Sequence, residues 1–546
     1  MITDIEQGLQ PQVLPDTLIC QVDHIAWHSH GVFGFGWALD PQGLLCRASL
    51  EVCHANGTRQ TVQVSTGRAR EDVAIAFSDH PQAAHSGFML MAGWPDDAPQ
   101  SVELVFKLGD GREVRRDLVR VSDESSPRAG VSEHRYLFRR ACAYLRQGKF
   151  RLLLRKTIGY GRRNPRFGSA DEAAVAARLK GRDCLILIDH SMGGGANHYR
   201  ETQVAQWLAD GQTVVLVSFR MASMIAFIEV RDRQGTILSK LESLESLGPI
   251  VESASIKQIF FNCAVSFPRP RQLQQVLLDI KSRSRADLIV VMHDYFLVCP
   301  SPFLLDDAGK FCGIPSSDRC NECLAAHQDG FVSLTGERSM GSWRALWGEL
   351  LDVADEVRCF SQSTWRLLAR AYPRIAERAT LIPHEVEPLR PVRDTRVERA
   401  CLTVGVIGSI SYHKGASVVV DLANAIIDAG VEMKIVVIGS VDAACPPGVV
   451  SQTGPYAQDD LPKIVEKHKI NIALLPSICP ETFSYVAHEI VSMGLPFMCL
   501  DLGAQADLAR SQSAGRVALR QDGPGLMQEL IAFDRHLHPL SLKVLS

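Results

Sequence analysis

No apolar run in these 546 residues approaches the roughly 18 needed to span a bilayer, so no membrane-crossing helix is expected. The opening MITDIEQGLQPQVLPDTLIC lacks a basic start followed by an apolar core, which argues against a secretory signal and for a cytoplasmic protein. An excess of one charge is also missing. Lys and Arg total 58 against 61 Asp and Glu, a formal net charge of -3 that gives no global reason to expect nucleic acid as a partner. With 46% hydrophobic and 22% charged residues, disorder is not the default, and the length suits about three domains. Cysteine is not scarce. The 15 thiols are spread over a large chain with no export signal, which favours reduced cysteines or a metal site over disulfides.

Residues 1–124 read as a β-rich accessory domain, a small antiparallel sandwich. Short alternating runs are punctuated at Asn56-Gly57 and Asp110-Gly111, dipeptides that favour type I′ hairpin turns. The segment GVFGFGWALD could line a sugar-binding face or simply pack a β-core. Residues 125–180 read as a basic amphipathic helical linker. Between Arg135 and Arg166 stand eleven Lys or Arg and no acid, with apolar stripes at helical spacing through Leu137, Ala141, Tyr144 and Leu145, then Phe150, Leu153, Leu154 and Ile158. Such a stripe suits an anionic membrane surface, or equally a helix docked on a neighbouring domain with a solvated basic back.

From residue 181 the rhythm is α/β. CLILIDHS, TVVLVSF, QIFFN, DLIVVMHD and EVRCFS are buried parallel strands in pattern, several separated by helical segments. After a connector rich in proline and charge, a second series runs LTVGVIG, KIVVIGS, INIALLPS and PFMCLD. Two doubly wound, Rossmann-like domains, 181–385 and 386–546, are expected to face one another across a cleft, with ligands at the carboxyl ends of the strands.

The loops after those strands carry the candidate chemistry. In DHSMGGGANHYR, Gly193, Gly194 and Gly195 allow close backbone approach and the following helix start offers amides to an anion, though a plain tight turn has the same composition. The segment fits neither the dinucleotide fingerprint nor a P-loop. In VGVIGSISYHKG, which contains Gly408, Lys414 stands before a helix where it can neutralise a diphosphate, or be merely solvated. PETFSYVAHE places Glu481 and Glu489 on either side of a helix start expected near Thr482 or Phe483. There the carboxylates could accept sugar or ribose hydroxyls while the amides hold phosphate. The plain alternative is an acidic first turn favoured by the helix dipole, with a solvated glutamate further on.

The elements GGGA, MHDYFLVCP, IPHEVE, VIGSISYHKG, VVIGS, TGPY and PSICPETFSYVAHEIVSMGLPFMCLD together resemble the retaining GT-B glycosyltransferases of the group 1, or family four, type, over residues 181 to 535. The resemblance implies a nucleotide-diphosphate-sugar donor bound mainly by the second domain. Glu489 would take the ribose hydroxyls and Glu481 the sugar hydroxyls. The diphosphate would lie against Lys414, Gly408 and the backbone of Thr482, Phe483 and Ser484, with Gly194 and Gly195 closing from the other side. His293 matches the family's cleft histidine, in a catalytic role with Glu481 or as a buried structural residue. Asn197, Tyr199, Arg200 and Asp294 would lie on the acceptor side. No cofactor is implied for catalysis, because lysine and amides stabilise the leaving diphosphate. One departure is Ser409, where many relatives carry arginine, so phosphate neutralisation is weaker or supplied elsewhere.

Cys299, Cys312, Cys320 and Cys323, with His327 behind, suit a tetrahedral structural zinc site or reduced packing thiols. Taken together, the expectation is a cytoplasmic enzyme, peripheral on the inner face of the membrane through its basic stretch. It would move a sugar to a glycan or lipid-linked glycan acceptor in bacterial surface polysaccharide synthesis. A sugar-nucleotide epimerase and a non-catalytic glycan-binding or scaffold protein are the alternatives.

Overall fold

The computed structural model describes residues 12–13, 18–94, 98–118, 170–393 and 401–537, so the basic stretch 135–166 lies outside the described residues. Two antiparallel sheets form the amino-terminal part. One contains Gln12–Val13, Ile19–His28, Gly31–Leu39, Gly87–Gly93 and Ser65–Arg68 in spatial order; the other contains Arg59–Gln63, Leu45–Cys53, Ser101–Leu108 and Glu113–Asp117. Phe88, Trp94 and Phe106 fill the space between them.

Both hairpins expected at Asn-Gly and Asp-Gly are present, but not as type I′ turns. Gly57 and Gly111 have positive φ, +81° and +89°, while Asn56 and Asp110 do not. Gly57 N–H instead donates to His54 O and Gly111 N–H to Leu108 O, and Asn56 Oδ1 accepts from Thr58 N. Asn56 and Asp110 thus serve as side-chain acceptors in longer turns, with glycine alone taking the left-handed position. The aromatic segment 31–39 packs rather than presents itself. Trp37 is buried with its indole donating to Gln21 Oε1, and Phe33 lies against the core of the next domain.

The first α/β unit has eight strands. Parallel strands Thr213–Arg220, Asp183–His190, Ser255–Phe261, Asp287–Val291, Glu356–Cys359 and Thr380–Leu381 lie in that order, and an antiparallel hairpin, Ile225–Asp232 and Gly235–Lys240, extends the Thr213–Arg220 edge. The helix Glu172–Leu179, counted with the linker in the sequence, buries Val175 and Leu179 in this core. The second unit is wholly parallel, with Val450–Gln452, Met433–Val441, Leu402–Ile410, Ile472–Leu475, Phe497–Leu500 and Gly515–Ala518 adjacent in turn. In chain order this is 3-2-1-4-5-6, so the strand order reverses between Leu402–Ile410 and Ile472–Leu475. The first unit reverses between Asp183–His190 and Ser255–Phe261. Ligands of open α/β sheets bind outside the carboxyl ends of strands at such reversals.

The three parts share cores. Ala26 and Met91 of the sandwich belong to the same buried cluster as Val332 and Leu334 of the first unit. Phe483 of the second unit sits in a cluster with Leu187, Phe260 and Phe360 of the first. Among the described residues no helix is long and apolar enough to cross a membrane.

Candidate functional site

The reversal point of the second sheet brings two loops together. Strand Leu402–Ile410 leads to Lys414, and strand Ile472–Leu475 leads to Glu481. Their approach depends on Gly415, whose φ is +88° and whose position leaves no room for a Cβ, which would collide with the carbonyl of Pro476. Lys414 Nζ donates to Glu481 Oε1 at 2.7 Å, and Ser477 Oγ donates to the same oxygen at 2.5 Å. Burial raises the Glu481 pKa, but the lysine beside it outweighs this and, with the hydroxyls of Ser477 and Ser484, holds the carboxyl at about 2. The Glu481 backbone is also fixed. Its N–H donates to Gln505 Oε1 at 3.2 Å and its carbonyl accepts from Ala504 N–H at 2.8 Å.

The helix after Glu481 is Tyr485–Ser492, starting two or three residues later than the sequence suggested. Ser484 holds a left-handed conformation, φ +67°, immediately before it, and Phe483 has turned away to pack in the core of the first unit. The leading N–H groups of an α-helix have no partner inside it, so this helix start suits an anion at the same cleft. Glu489 lies on the same helix and is 7% exposed, with Gln458 Nε2 donating to Oε1 at 2.8 Å. Burial raises its pKa to about 7. Two glutamates eight residues apart thus occupy opposite electrostatic environments. One is an anion held by lysine, and the other is a buried carboxyl that titrates near neutrality.

The first unit meets this loop directly. Thr482 Oγ1 donates to His293 O at 2.9 Å, and Thr364 Oγ1 donates to Thr482 O at 3.2 Å. A Cβ on Gly195 would stand 3.1 Å from the Tyr485 ring, so the glycine loop does reach the helix start. His293 Nε2 is sealed from solvent with no protein partner, and burial holds the imidazole well below its ordinary pKa. Its neighbours are Tyr199, Phe360 and His384, at ring separations of 5.0, 4.7 and 5.3 Å.

His384 is the residue that sequence reasoning missed. It stands in the quoted segment IPHEVE, stacks on Phe360 at 3.8 Å and meets Phe483 edge-on at 4.5 Å. Its Nδ1 is buried without a partner, and burial lowers its pKa to about 3. The signal was present in the sequence, a histidine beside the connector, but only the fold turns it inward. Ser477 and Gln505 were missed as well, since nothing in their spacing marks them.

The four residues assigned to the acceptor side divide. Tyr199 lies in the aromatic cluster around His293 and His384. Asn197 instead braces the glycine loop, with Oδ1 accepting from Gly193 N–H at 2.6 Å and Nδ2 donating to Asp189 and to His190 O. Arg200 ties to the same Asp189 and His190 O. Asp294 accepts the Cys263 thiol at 2.9 Å and the Phe296 N–H, and burial raises its pKa. Gly408, φ +120°, pairs in register with Gly439, which needs the same glycine-only backbone because a Cβ there would strike the Gly408 carbonyl.

Among the described residues, one group of His, Cys, Asp or Glu has three ligand atoms within 4.8 Å of one another: Asp189, His190 and Cys263. Each of the three is already hydrogen-bonded within the protein. His190 N–H, Asn197 and Arg200 take the two Asp189 oxygens, Met192 N–H takes His190 Nδ1, and the Cys263 thiol donates to Asp294. This is a hydrogen-bonded core network, not a cation site.

No known family model matches the chain, and no curated protein does. Solved structures with a partial likeness include Anabaena HepE in complex with UDP and glucose, at 14% identity over 64% of this chain and 89% of that one, with a TM-score of 0.40. A glycosyltransferase from Rickettsia africae aligns at 11% identity over 65% and 89%, TM-score 0.41. Acinetobacter baumannii MurG aligns at 11% identity over 64% and 90%, TM-score 0.34. At scores this low the likeness is faint.

Proposed function

We propose that this chain is a GT-B glycosyltransferase of the retaining, family-four type, transferring a sugar from a nucleotide-diphosphate donor to a glycan acceptor. The observation that carries this is the meeting of Lys414, Ser477 and Glu481 at the reversal point of the second sheet, with Glu489 on the adjoining helix. A cation, the free amides of a helix start and two carboxylates suit the diphosphate and the hydroxyls of a nucleotide sugar. Lys414 and the amides at Tyr485 offset charge gathering on the departing diphosphate. The anionic Glu481 accepts hydrogen bonds from sugar hydroxyls, and Glu489 accepts those of the ribose. His293 Nε2 has no protein partner, and once a ligand parts the residues over it, it would accept a hydroxyl from sugar or acceptor, with neutral His384 beside it.

Because Lys414 supplies the positive charge, no catalytic metal is invoked. Lipid-linked glycan is the acceptor class that best accounts for a basic amphipathic stretch at 135–166. On that basic stretch we place the enzyme at the cytoplasmic face of the membrane, in surface polysaccharide synthesis.

A thermal-shift panel of nucleotide sugars, followed by nucleotide-release assays with and without glycan acceptor, tests the assignment. Glu481→Ala should lower acceptor-dependent release at least about 100-fold, because it removes a charge fixed at the reacting end of the donor. Unchanged turnover in that variant removes the site from contention. Donor converted without acceptor would indicate an epimerase, and glycan binding without nucleotide release a binding protein.

A further inference from the structure

A pocket of about 310 Å³ lies where the sandwich meets the first α/β unit. Sites for small ligands run from about 300 to 1,000 Å³, so it has room for one compact group. The sandwich contributes the turn at Ser29 that joins Ile19–His28 to Gly31–Leu39. The first unit contributes the turn after Thr213–Arg220, the loop after Gly235–Lys240 and the approach to the helix Pro270–Ser284.

These walls are fixed by the protein itself. His24 Nε2 donates to Ala222 O at 2.5 Å, Trp94 Nε1 donates to Ser29 O at 2.7 Å, and Leu241 N–H donates to Ala226 O at 2.9 Å. Met224 holds a positive φ of +53°, which a non-glycine residue keeps only where its surroundings over-determine it. The sandwich closes on it through Gly31, where a Cβ would stand 3.0 Å from Met224 Cε. A preformed hollow loses little binding free energy to ordering.

Burial sorts the lining by chemistry. Phe219, Met224, Leu241 and Leu244 are buried and form an apolar floor, and His28 meets the Phe219 ring edge-on at 5.9 Å across the junction. Ser29, Glu242 and Arg269 are exposed at the mouth, with Gln272 half-buried. Arg269 and Gln272 bring donors, Glu242 brings acceptors, and the Ser29 hydroxyl is both. A sugar residue has the matching surface, with C–H groups on its faces and hydroxyls that donate and accept around its rim. A wholly apolar ligand would strip water from Arg269 and Glu242 without replacing it, and an anion would meet Glu242 as well as Arg269.

The pocket also lies on the edge of the sheet that carries the proposed chemistry. Phe219 pairs in register with His190, from which the glycine loop departs. His293 follows Asp287–Val291, which is three strands from Thr213–Arg220 in the sheet. Three strand spacings are about 14 Å, the reach of a short oligosaccharide.

We propose that this pocket holds an internal sugar residue of the acceptor glycan, set back from the reacting end, so that the sandwich retains long chains at the cleft. Its role as an acceptor subsite rests on the glycosyltransferase reading above; its capacity to bind glycan does not.

Saturation-transfer NMR on the full-length protein tests the pocket without any nucleotide sugar. The probes are glucose, galactose, mannose, rhamnose, N-acetylglucosamine and glucuronate, each with its linear oligomers up to the hexasaccharide. At least one oligomer should bind, and more tightly than its monomer, because it spans both pocket and cleft. Ser29→Trp, which fills the pocket from its exposed mouth, should weaken that binding at least about 10-fold. Asp428→Trp, at an exposed helical position of the second unit, should leave it unchanged. Glu242→Trp fills the pocket from the first unit and decides the matter if Ser29→Trp does not fold. No binding across the panel, or binding that the blocking tryptophans leave unaltered, overturns the proposal. Glycan binding lost in Ser29→Trp, in a protein that releases no nucleotide, would leave the pocket a glycan site and refute the activity alone. Nucleotide release that depends on Glu481, with glycan affinity untouched by either blocking variant, would refute the pocket alone.

Discussion

Glu489 is the side chain whose behaviour should reveal itself most directly in solution. An ordinary glutamate titrates near 4.5, and burial moves this one to about 7. The folded chain therefore holds this proton more tightly than the unfolded chain, so the group disfavours the fold as pH climbs from about 4.5 through about 7. Under the proposed donor assignment recognition runs the other way, because only the carboxylate accepts two ribose hydroxyls without donating. Donor KM should fall as pH rises through about 7, while Tm declines over the same interval. Glu489→Gln should flatten both profiles, weakening donor binding at pH 8 while raising Tm there. Parallel movement of the two quantities in wild type would refute this account. The Lys414 and Glu481 pairing was half legible in the sequence, since each residue had been marked for its own task. Their contact was not, because it depends on which strands lie adjacent at the sheet's reversal.

At the scale of elements, the central strands announced themselves through Val, Ile and Leu runs buried on both faces. The edges did not. Val450–Gln452 and Thr380–Leu381 are short and largely exposed, Gly515–Ala518 is short and half-buried, and nothing in the apolar run from Ile225 to Ile228 marks its strand as antiparallel to its neighbour. The late start of the helix at Tyr485 was equally hidden, because Ser484 adopts a conformation that its side chain does not advertise. Glycines separate into two kinds that a pair of substitutions distinguishes. Gly430 has φ +59° but open space around it, so Gly430→Ala should cost about 1–2 kcal/mol, the left-handed penalty alone. Gly415→Ala adds a collision with Pro476 O, which should cost about 1–3 kcal/mol more and part the Lys414 loop from Glu481. Denaturant melts of the two variants, with donor titrations, read both effects; equal losses would show that the Pro476 contact is slack.

Across the whole molecule, the sandwich is built into the α/β body. A Cβ on Gly93 would stand 2.5 Å from Leu334 Cα, Gly93 N–H donates to Ser333 Oγ at 3.0 Å, and Gln63 N–H donates to Gln328 O at 2.7 Å. Gly93→Ala should therefore lower stability by about 1–3 kcal/mol through forced separation of two backbones. Calorimetry should still show the sandwich and first unit unfolding in one transition, because they share a core. A separate early transition in wild type would mean they melt independently. The sandwich also reaches the second unit, where a Cβ on Gly67 would stand 2.9 Å from Asp442 O, and where Arg68 and His85 partly offset the burial that raises the Asp442 pKa. An appendage resting on both halves bridges them. Gly67→Ala, which must push the Asp442 carbonyl aside, would loosen that bridge from the far end of the chain without touching Lys414, Glu481 or Glu489.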